Sequence, residues 1–144
     1  MTESIKINHV DAWSFLYKCI VIEVKRHVTD YDNKEHWCYY LGWAKYSMNQ
    51  DVFNLITAGI KETKYFSCNY YDSPLSELNW HCGCTHGKLF RDENAELQYI
   101  ELGCDYSHIW DEGITYDLEE LIGDAKNTAD DFISKYPNYI KDES

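Results

Sequence analysis

The side chains that could do chemistry are concentrated in segments 81–85 and 101–105 and in the loop after them. If both segments are β-strands, alternation puts an imidazole, a hydroxyl and two carboxylates on one face. Such a set can transfer protons, hold a divalent cation or hydrogen-bond a polar ligand. The predicted ligand-binding residues are His81, Thr85, Glu101, Asp105, His108 and Asp111. If the chain is an enzyme, the catalytic candidates are His81, Asp105 and His108.

Gly83 and Gly103 lie on the same predicted face and would leave space for a ligand. The alternative is that the polar groups satisfy one another on a solvated sheet face. Both interpretations place the imidazole of His81 and the hydroxyl of Thr85 opposite Asp105, across a hairpin.

The other face of this hairpin carries groups that bind zinc in other proteins. Cys82, Cys84 and His86 share that face and could join Cys104 from the paired strand. Their Cys-x-Cys spacing differs from that of zinc knuckles, and free cysteine is among the most buried residue types. We therefore predict small buried thiols, no metal, no cofactor, and no zinc held by Cys82, Cys84 and Cys104 together.

The short motifs of common enzymes are missing from the sequence. It has no nucleophile elbow, phosphate-binding loop, dinucleotide fingerprint or zinc-protease helix, which disfavours those classes. The 13 Tyr and 5 Trp exceed the needs of a small core and could form stacking walls for purine-like ligands. Packing within the sheet is the alternative for Trp37, Tyr39, Tyr40 and Trp43.

Two hairpins would position these residues. Segments 18–25 and 37–43 are rich in β-branched and aromatic residues and flank a polar turn at 29–34. Segments 80–90 and 96–105 flank a second polar turn at 91–94, and we predict that they form the second hairpin.

Two helices complete the predicted elements. A short helix covers 50–58, and a longer amphipathic helix begins after Asp117. Asp117 and Glu120 together resemble a capping box at its start. The apolar stripe of the longer helix consists of Leu118, Leu121, Ile122, Ala125, Ala129, Phe132, Ile133 and Tyr136. We expect this helix to pack across an antiparallel sheet built from the two hairpins, an α+β fold in two layers. Residues 1–144 would form one domain with a short acidic tail from about residue 138.

The charge of the chain restricts its partners. The 144 residues carry 13 Lys+Arg and 25 Asp+Glu, a net charge of −12, and residues 105–144 hold 11 of the acids. Such a chain repels nucleic acids and anionic membranes, so we expect neither as a direct partner. The acidic region is either a solvated helix surface or a surface that imitates a nucleic-acid backbone for a basic partner. Without a signal peptide or an apolar span, we expect a cytoplasmic protein with reduced cysteines.

The order of four segments resembles a group of small phage and prophage proteins of no assigned activity. The segments are 36–42, 80–85, 100–108 and 116–121, within a resemblance that runs from Lys18 to Phe132. In that group a Trp/Cys-Gly-Tyr-Val strand precedes a His-Gly-Gly-x-Thr strand, a Gly-Phe-Asp-Cys-x-His segment and a final Tyr-containing helix. Its motif positions fall here on His81, Gly83, Thr85, Asp105 and His108. This chain departs from the pattern at Cys82, Cys104 and Tyr106.

The resemblance implies a viral origin and leads to a functional expectation. We expect a phage-type binding protein that counters host immunity in the host cytoplasm. It would sequester a small polar or nucleotide-like ligand or mask a basic host protein, and it could form a homo-oligomer. The alternatives are a small, possibly metal-dependent hydrolase that uses the same polar residues, and an interaction protein without a pocket.

Overall fold

The structure is a computed structural model that describes residues 7–29, 34–62, 68–70, 72–106 and 113–141. Its strands are β1 (Ile7–Tyr17), β2 (Ile20–Thr29), β3 (Glu35–Ala44), β4 (Lys61–Glu62), β5 (Cys68–Asn69), β6 (His86–Arg91) and β7 (Leu97–Asp105). Its α-helices are α1 (Gln50–Thr57) and α2 (Leu118–Lys135). Single turns of 3-10 helix occur at Lys45–Ser47 and Pro74–Glu77.

Five of the strands form one antiparallel sheet in the order β1-β2-β3-β7-β6, while β4 and β5 pair separately. The helix α2 packs on one face of this sheet, against β2 and β3. The predicted α+β fold is therefore confirmed. We call this face, which carries Val24, Tyr39 and Leu102, the helix face. The opposite face, which carries their strand neighbours Lys25, Tyr40 and Gly103, is the outer face.

The first predicted hairpin is present as β2 and β3, but an extra strand precedes it. Lys18, predicted as the start of a strand, instead forms a two-residue turn with Cys19 between β1 and β2. Both residues have positive φ angles, 50° and 68°. This is the type I′ conformation that matches the twist of antiparallel strands. The sheet consequently has β1 as an edge strand that we did not predict.

The second hairpin is shorter than predicted. The strand β6 begins only at His86, and the residues before it form a turn. In that turn Cys82 and Gly83 have positive φ angles of 56° and 97°, and the Gly83 N–H donates to the Trp80 carbonyl at 3.3 Å. Positive φ lies outside the β region, so the strict alternation expected for 81–85 does not hold.

The helix α2 is held by polar contacts as well as by apolar burial. The Asp117 side chain accepts a hydrogen bond from the Glu120 N–H at 2.8 Å, so the predicted N-cap is present. The hydroxyls of Tyr39 and Thr128 lie 2.7 Å apart in the buried space between sheet and helix. The buried side chains of α2 are Leu121, Ala125, Thr128, Ala129 and Phe132.

The chain after α2 returns to the sheet. Tyr139 is buried and its hydroxyl donates to the Lys18 carbonyl, and Ile140 pairs with Met48 in an isolated bridge. The acidic tail predicted from about residue 138 is therefore docked as far as Lys141. Within the described ranges, no helix has the length and apolar character needed to cross a membrane.

The Tyr39–Thr128 contact leads to a stability prediction. Thr128→Val keeps the shape of the side chain but leaves the buried Tyr39 hydroxyl without this partner, which should cost about 1–3 kcal/mol of unfolding free energy. The control is Thr57→Val, since the Thr57 hydroxyl bonds only within its own helix on a partly exposed side chain. Urea unfolding measures both variants. Equal stability of the two variants would contradict the role given to the buried pair.

Candidate functional site

The turn before β6 holds His81 on the helix face of the sheet. Its backbone N–H donates to the Tyr39 hydroxyl at 3.2 Å. Its imidazole stacks on the Tyr106 ring, with centroids 3.7 Å apart and planes 11° apart, and meets the Tyr116 ring edge-on. The Tyr106 hydroxyl donates to Asp124 of α2 at 2.5 Å, and burial raises the pKa of Tyr106. His81 thus belongs to an aromatic cluster between the sheet and the start of α2.

Three other predicted ligand residues lie on the outer face. The Thr85 hydroxyl donates to Asp105 Oδ2 at 3.2 Å, as predicted for a pair facing each other across the second hairpin. Glu101, two positions before Gly103 on β7, has Oε1 3.0 Å from Nε2 of His86. Both pairs therefore satisfy their polar atoms locally.

The sheet separates His81 from Asp105. His81 stacks on Tyr106, a core residue, whereas Asp105 pairs on the outer face beside Cys38 of β3. The predicted placement of His81 opposite Asp105 is therefore wrong, because His81 belongs to a turn and not to a strand. The other two predicted site residues, His108 and Asp111, lie outside the described residues.

The space expected beside Gly103 is filled by an aromatic ring. A Cβ atom at this position would lie 2.3 Å from Cδ1 of Tyr40 and 2.7 Å from the Tyr39 carbonyl oxygen. At Gly42, on the neighbouring strand, a Cβ atom would lie 1.5 Å from the Tyr99 hydroxyl. Tyrosine rings therefore lie across both glycines, and Gly103 makes room for Tyr40 instead of a ligand.

A cysteine–histidine pair on the outer face was not singled out from the sequence. Cys38 Sγ lies 3.7 Å from Nε2 of His27 and donates to the Tyr40 hydroxyl at 3.2 Å. Burial raises the pKa of the Cys38 thiol, and burial together with the charges of Lys25 and His36 lowers the pKa of His27. Both shifts favour the neutral thiol and the neutral imidazole, so the pair lacks the thiolate of an activated nucleophile. With six Cys and six His in the chain, spacing alone could not select this pair.

The cysteines proposed as metal ligands are divided between different environments. Cys104 faces the core, where burial raises its pKa, whereas His86 lies on the outer face and Cys82 is exposed in the turn. The prediction of three small buried thiols is therefore wrong for Cys82. In the part of the chain that the structure describes, no group of three or more His, Cys, Asp or Glu side chains could hold a metal ion.

The acidic residues of α2 have two different roles. Three of them accept hydrogen bonds from the rest of the fold: Asp124 from Tyr106, Asp130 from Tyr17 and Lys18, and Asp131 from Asn79 and Lys135. Glu119 and Glu120, by contrast, are exposed on the first turn of the helix. Within α2, the exposed carboxylates are thus concentrated at the start of the helix.

No protein-family model, curated protein or solved structure matches the chain. The function must therefore be inferred from the geometry of the described residues.

The contact between Gly103 and Tyr40 leads to a second stability prediction. Gly103→Ala should destabilise the fold by about 1–3 kcal/mol, because the ring and the Tyr39 carbonyl must move. The matched control is Gly123→Ala in α2, where an added Cβ meets no atom of the described residues within 4 Å. That change should stabilise by about 0.5–1 kcal/mol, since alanine suits a helix interior better than glycine. Urea unfolding that shows Gly103→Ala as stable as the unaltered chain would contradict the close packing.

The lowered pKa of His27 leads to a pH prediction. As the pH falls below 6.5, the ordinary pKa of histidine, His27 takes up a proton in the unfolded chain at a higher pH than in the folded chain. Stability contributed by neutral His27 is therefore full above pH 6.5 and is lost as the pH falls toward the folded-state pKa. Thermal unfolding should show a smaller loss of Tm between about pH 7.5 and 5.5 in His27→Gln than in the unaltered chain.

The control for this prediction is Lys25→Gln, which removes one of the charges that lower the pKa of His27. Its loss of Tm should lie between those of the unaltered chain and His27→Gln. The same pH dependence in all three proteins would show that His27 does not contribute.

Proposed function

We propose that the chain is a phage-type binding protein that masks a basic surface of a host protein in the host cytoplasm and so counters host immunity. The observation that carries this proposal is the stretch from Asp117 to Asp124, which has four carboxylates and no basic residue. Three of them, Asp117, Glu119 and Glu120, are exposed, and Asp117 is engaged as the helix cap. The link to phages and host immunity rests on the resemblance described above.

The start of α2 suits contact with a basic surface. Asp117 caps the helix, so Glu119 and Glu120 project from a turn of fixed geometry. The positive end of the helix dipole stabilises carboxylates at this position, so the cluster needs no neighbouring base. The net charge of −12 adds attraction that steers a basic partner toward the chain.

The other acidic residues of α2 contribute less to such a contact. Asp130 and Asp131 lie within 3.3 Å of the ammonium groups of Lys18 and Lys135, which offset their charge. We therefore assign the contact to Glu119 and Glu120, and not to the whole acidic region of residues 105–144.

Two competing functions rely on a single polar pocket. Sequestration of a nucleotide-like ligand and a small, possibly metal-dependent hydrolysis both require His81 and Asp105 on one side of the sheet, and they lie on opposite faces. On the outer face, Thr85 is already bonded to Asp105 and His86 to Glu101. A ligand there would have to displace these hydrogen bonds, which disfavours both alternatives relative to a protein partner.

Affinity capture tests the proposal. Host proteins that elute from heparin, a fraction rich in nucleic-acid-binding proteins, are passed over the immobilised chain. We expect the chain to retain a basic protein that salt releases, because exposed charges are screened within about 8 Å at physiological ionic strength. Glu119→Lys combined with Glu120→Lys should lose this retention. The captured protein should also fail to bind DNA while the chain is present.

The matched control is Glu93→Lys combined with Glu96→Lys, which makes the same charge change in the exposed turn between β6 and β7. This variant should retain the partner. Circular dichroism checks that both variants fold, since each carboxylate at the helix start contributes only about 0.3–1 kcal/mol. Equal retention by the two double variants would contradict the proposed contact.

A further inference from the structure

The strand β1 is a long strand at the edge of the sheet that the described residues form. Within the described residues it pairs only with β2, although it is 11 residues long. It contains no proline or lysine, and the carboxylate of Asp11 is held by Arg26. Proline, lysine and unpaired inward charges are the usual means by which proteins prevent edge strands from pairing. The sequence of β1 therefore permits a further strand beside it.

The turn at Lys18 and Cys19 determines which backbone groups face the free edge. In a two-residue hairpin the flanking residues, here Tyr17 and Ile20, are a hydrogen-bonded pair. Alternate residues before Tyr17 consequently direct their N–H and C=O groups toward β2. The residues between them direct these groups outward: Val10, Ala12, Ser14 and Leu16.

Two of these outward-directed positions expose large apolar side chains on the outer face. Leu16 is 71% exposed and Val10 is 48% exposed. They are six residues apart on the same strand face, so a contact that covers both must run along β1.

We propose that two copies of the chain pair antiparallel through β1, about a two-fold axis at Trp13, to form a ten-stranded sheet. In this register Val10 lies opposite the partner subunit's Leu16, and Ala12 lies opposite the partner subunit's Ser14. All four outward-directed residues then form hydrogen-bonded pairs. The contact between Val10 and Leu16 occurs twice, once on each side of the two-fold axis, so both exposed apolar side chains of each copy are covered. A shift of two residues in either direction separates Val10 from the partner subunit's Leu16. Self-complementarity thus selects one register and favours a second copy as the occupant.

The proposed dimer would also bring two Trp13 side chains together and would respond to salt. Trp13, which stacks on Trp37 with ring centroids 6.0 Å apart, would meet the partner subunit's Trp13 at the axis. Because each copy carries a charge of −12, association works against long-range repulsion. Salt screens that repulsion, so the dimer should become stronger as salt rises. The contact with a basic protein proposed above should weaken under the same change, which distinguishes the two surfaces.

Sedimentation equilibrium over a concentration series tests the pairing. The chain should approach about 34 kDa, twice its mass of 17.1 kDa. Ser14→Pro should remain monomeric, because proline removes an N–H that faces only the free edge. The control is Phe90→Lys, which changes an exposed apolar side chain on the other edge strand, β6, and should leave the dimer intact. Circular dichroism verifies that each variant is folded.

A mixing experiment tests the register itself. Val10→Lys and Leu16→Glu should each weaken the dimer when studied alone. Mixed together, they should form a heterodimer, since one lysine then lies opposite one glutamate and the unaltered Val10 and Leu16 side chains meet at the other pair. A chain that stays monomeric at every concentration, or a mixture that forms no heterodimer, would overturn the proposal.

Discussion

The hydroxyl of Tyr39 is the point at which three parts of the molecule meet. It lies 2.7 Å from the Thr128 hydroxyl of α2 and accepts the backbone N–H of His81, while the Tyr39 ring stacks on Trp80. Burial raises the pKa of Tyr39, so the phenol stays protonated and has to find hydrogen-bond partners within the fold. This contact fixes the helix and the turn before β6 on the same face of β3. It thereby decides on which side of the sheet His81 lies.

The position of α2 on one face has consequences for the other. Among the described residues α2 packs on the helix face, and several polar groups of the outer face are satisfied by contacts between side chains of that face. Tyr40 lies across Gly103 and bonds to Cys38, and Asp105 bonds to Thr85. Of the predicted site residues, Thr85 and Asp105 are therefore engaged with each other, and Glu101 is engaged with His86. The exposed carboxylates at the start of α2 and the free edge of β1 are better suited to bind a partner.

The elements with a regular apolar period could be predicted from the sequence. The apolar stripe and the N-cap of α2 were predicted correctly. The spacing of apolar residues indicates which face of a helix is buried, and a capping side chain indicates where the helix begins. The strand β1 was not predicted, because apolar side chains occur on both of its faces, as at Phe15 and Leu16. Its sequence therefore lacks the regular alternation of apolar and polar residues that indicates a strand. The turn at 81–85 was missed although Gly83 was a signal for it, since strand alternation was extended through a glycine. For Gly103, a glycine in a strand indicates a close approach, but sequence alone does not tell a tyrosine ring from a ligand.

The most direct test of the proposed binding surface is chemical-shift mapping of the 15N-labelled chain with the captured basic host protein. If the start of α2 is the contact, the largest changes should fall on the backbone amides from Asp117 to Asp124, with the outer-face amides of Thr85 and Asp105 little changed. Changes centred on Thr85 and Asp105, with the amides at the start of α2 unaffected, would contradict the assignment and would indicate that the partner binds the outer face.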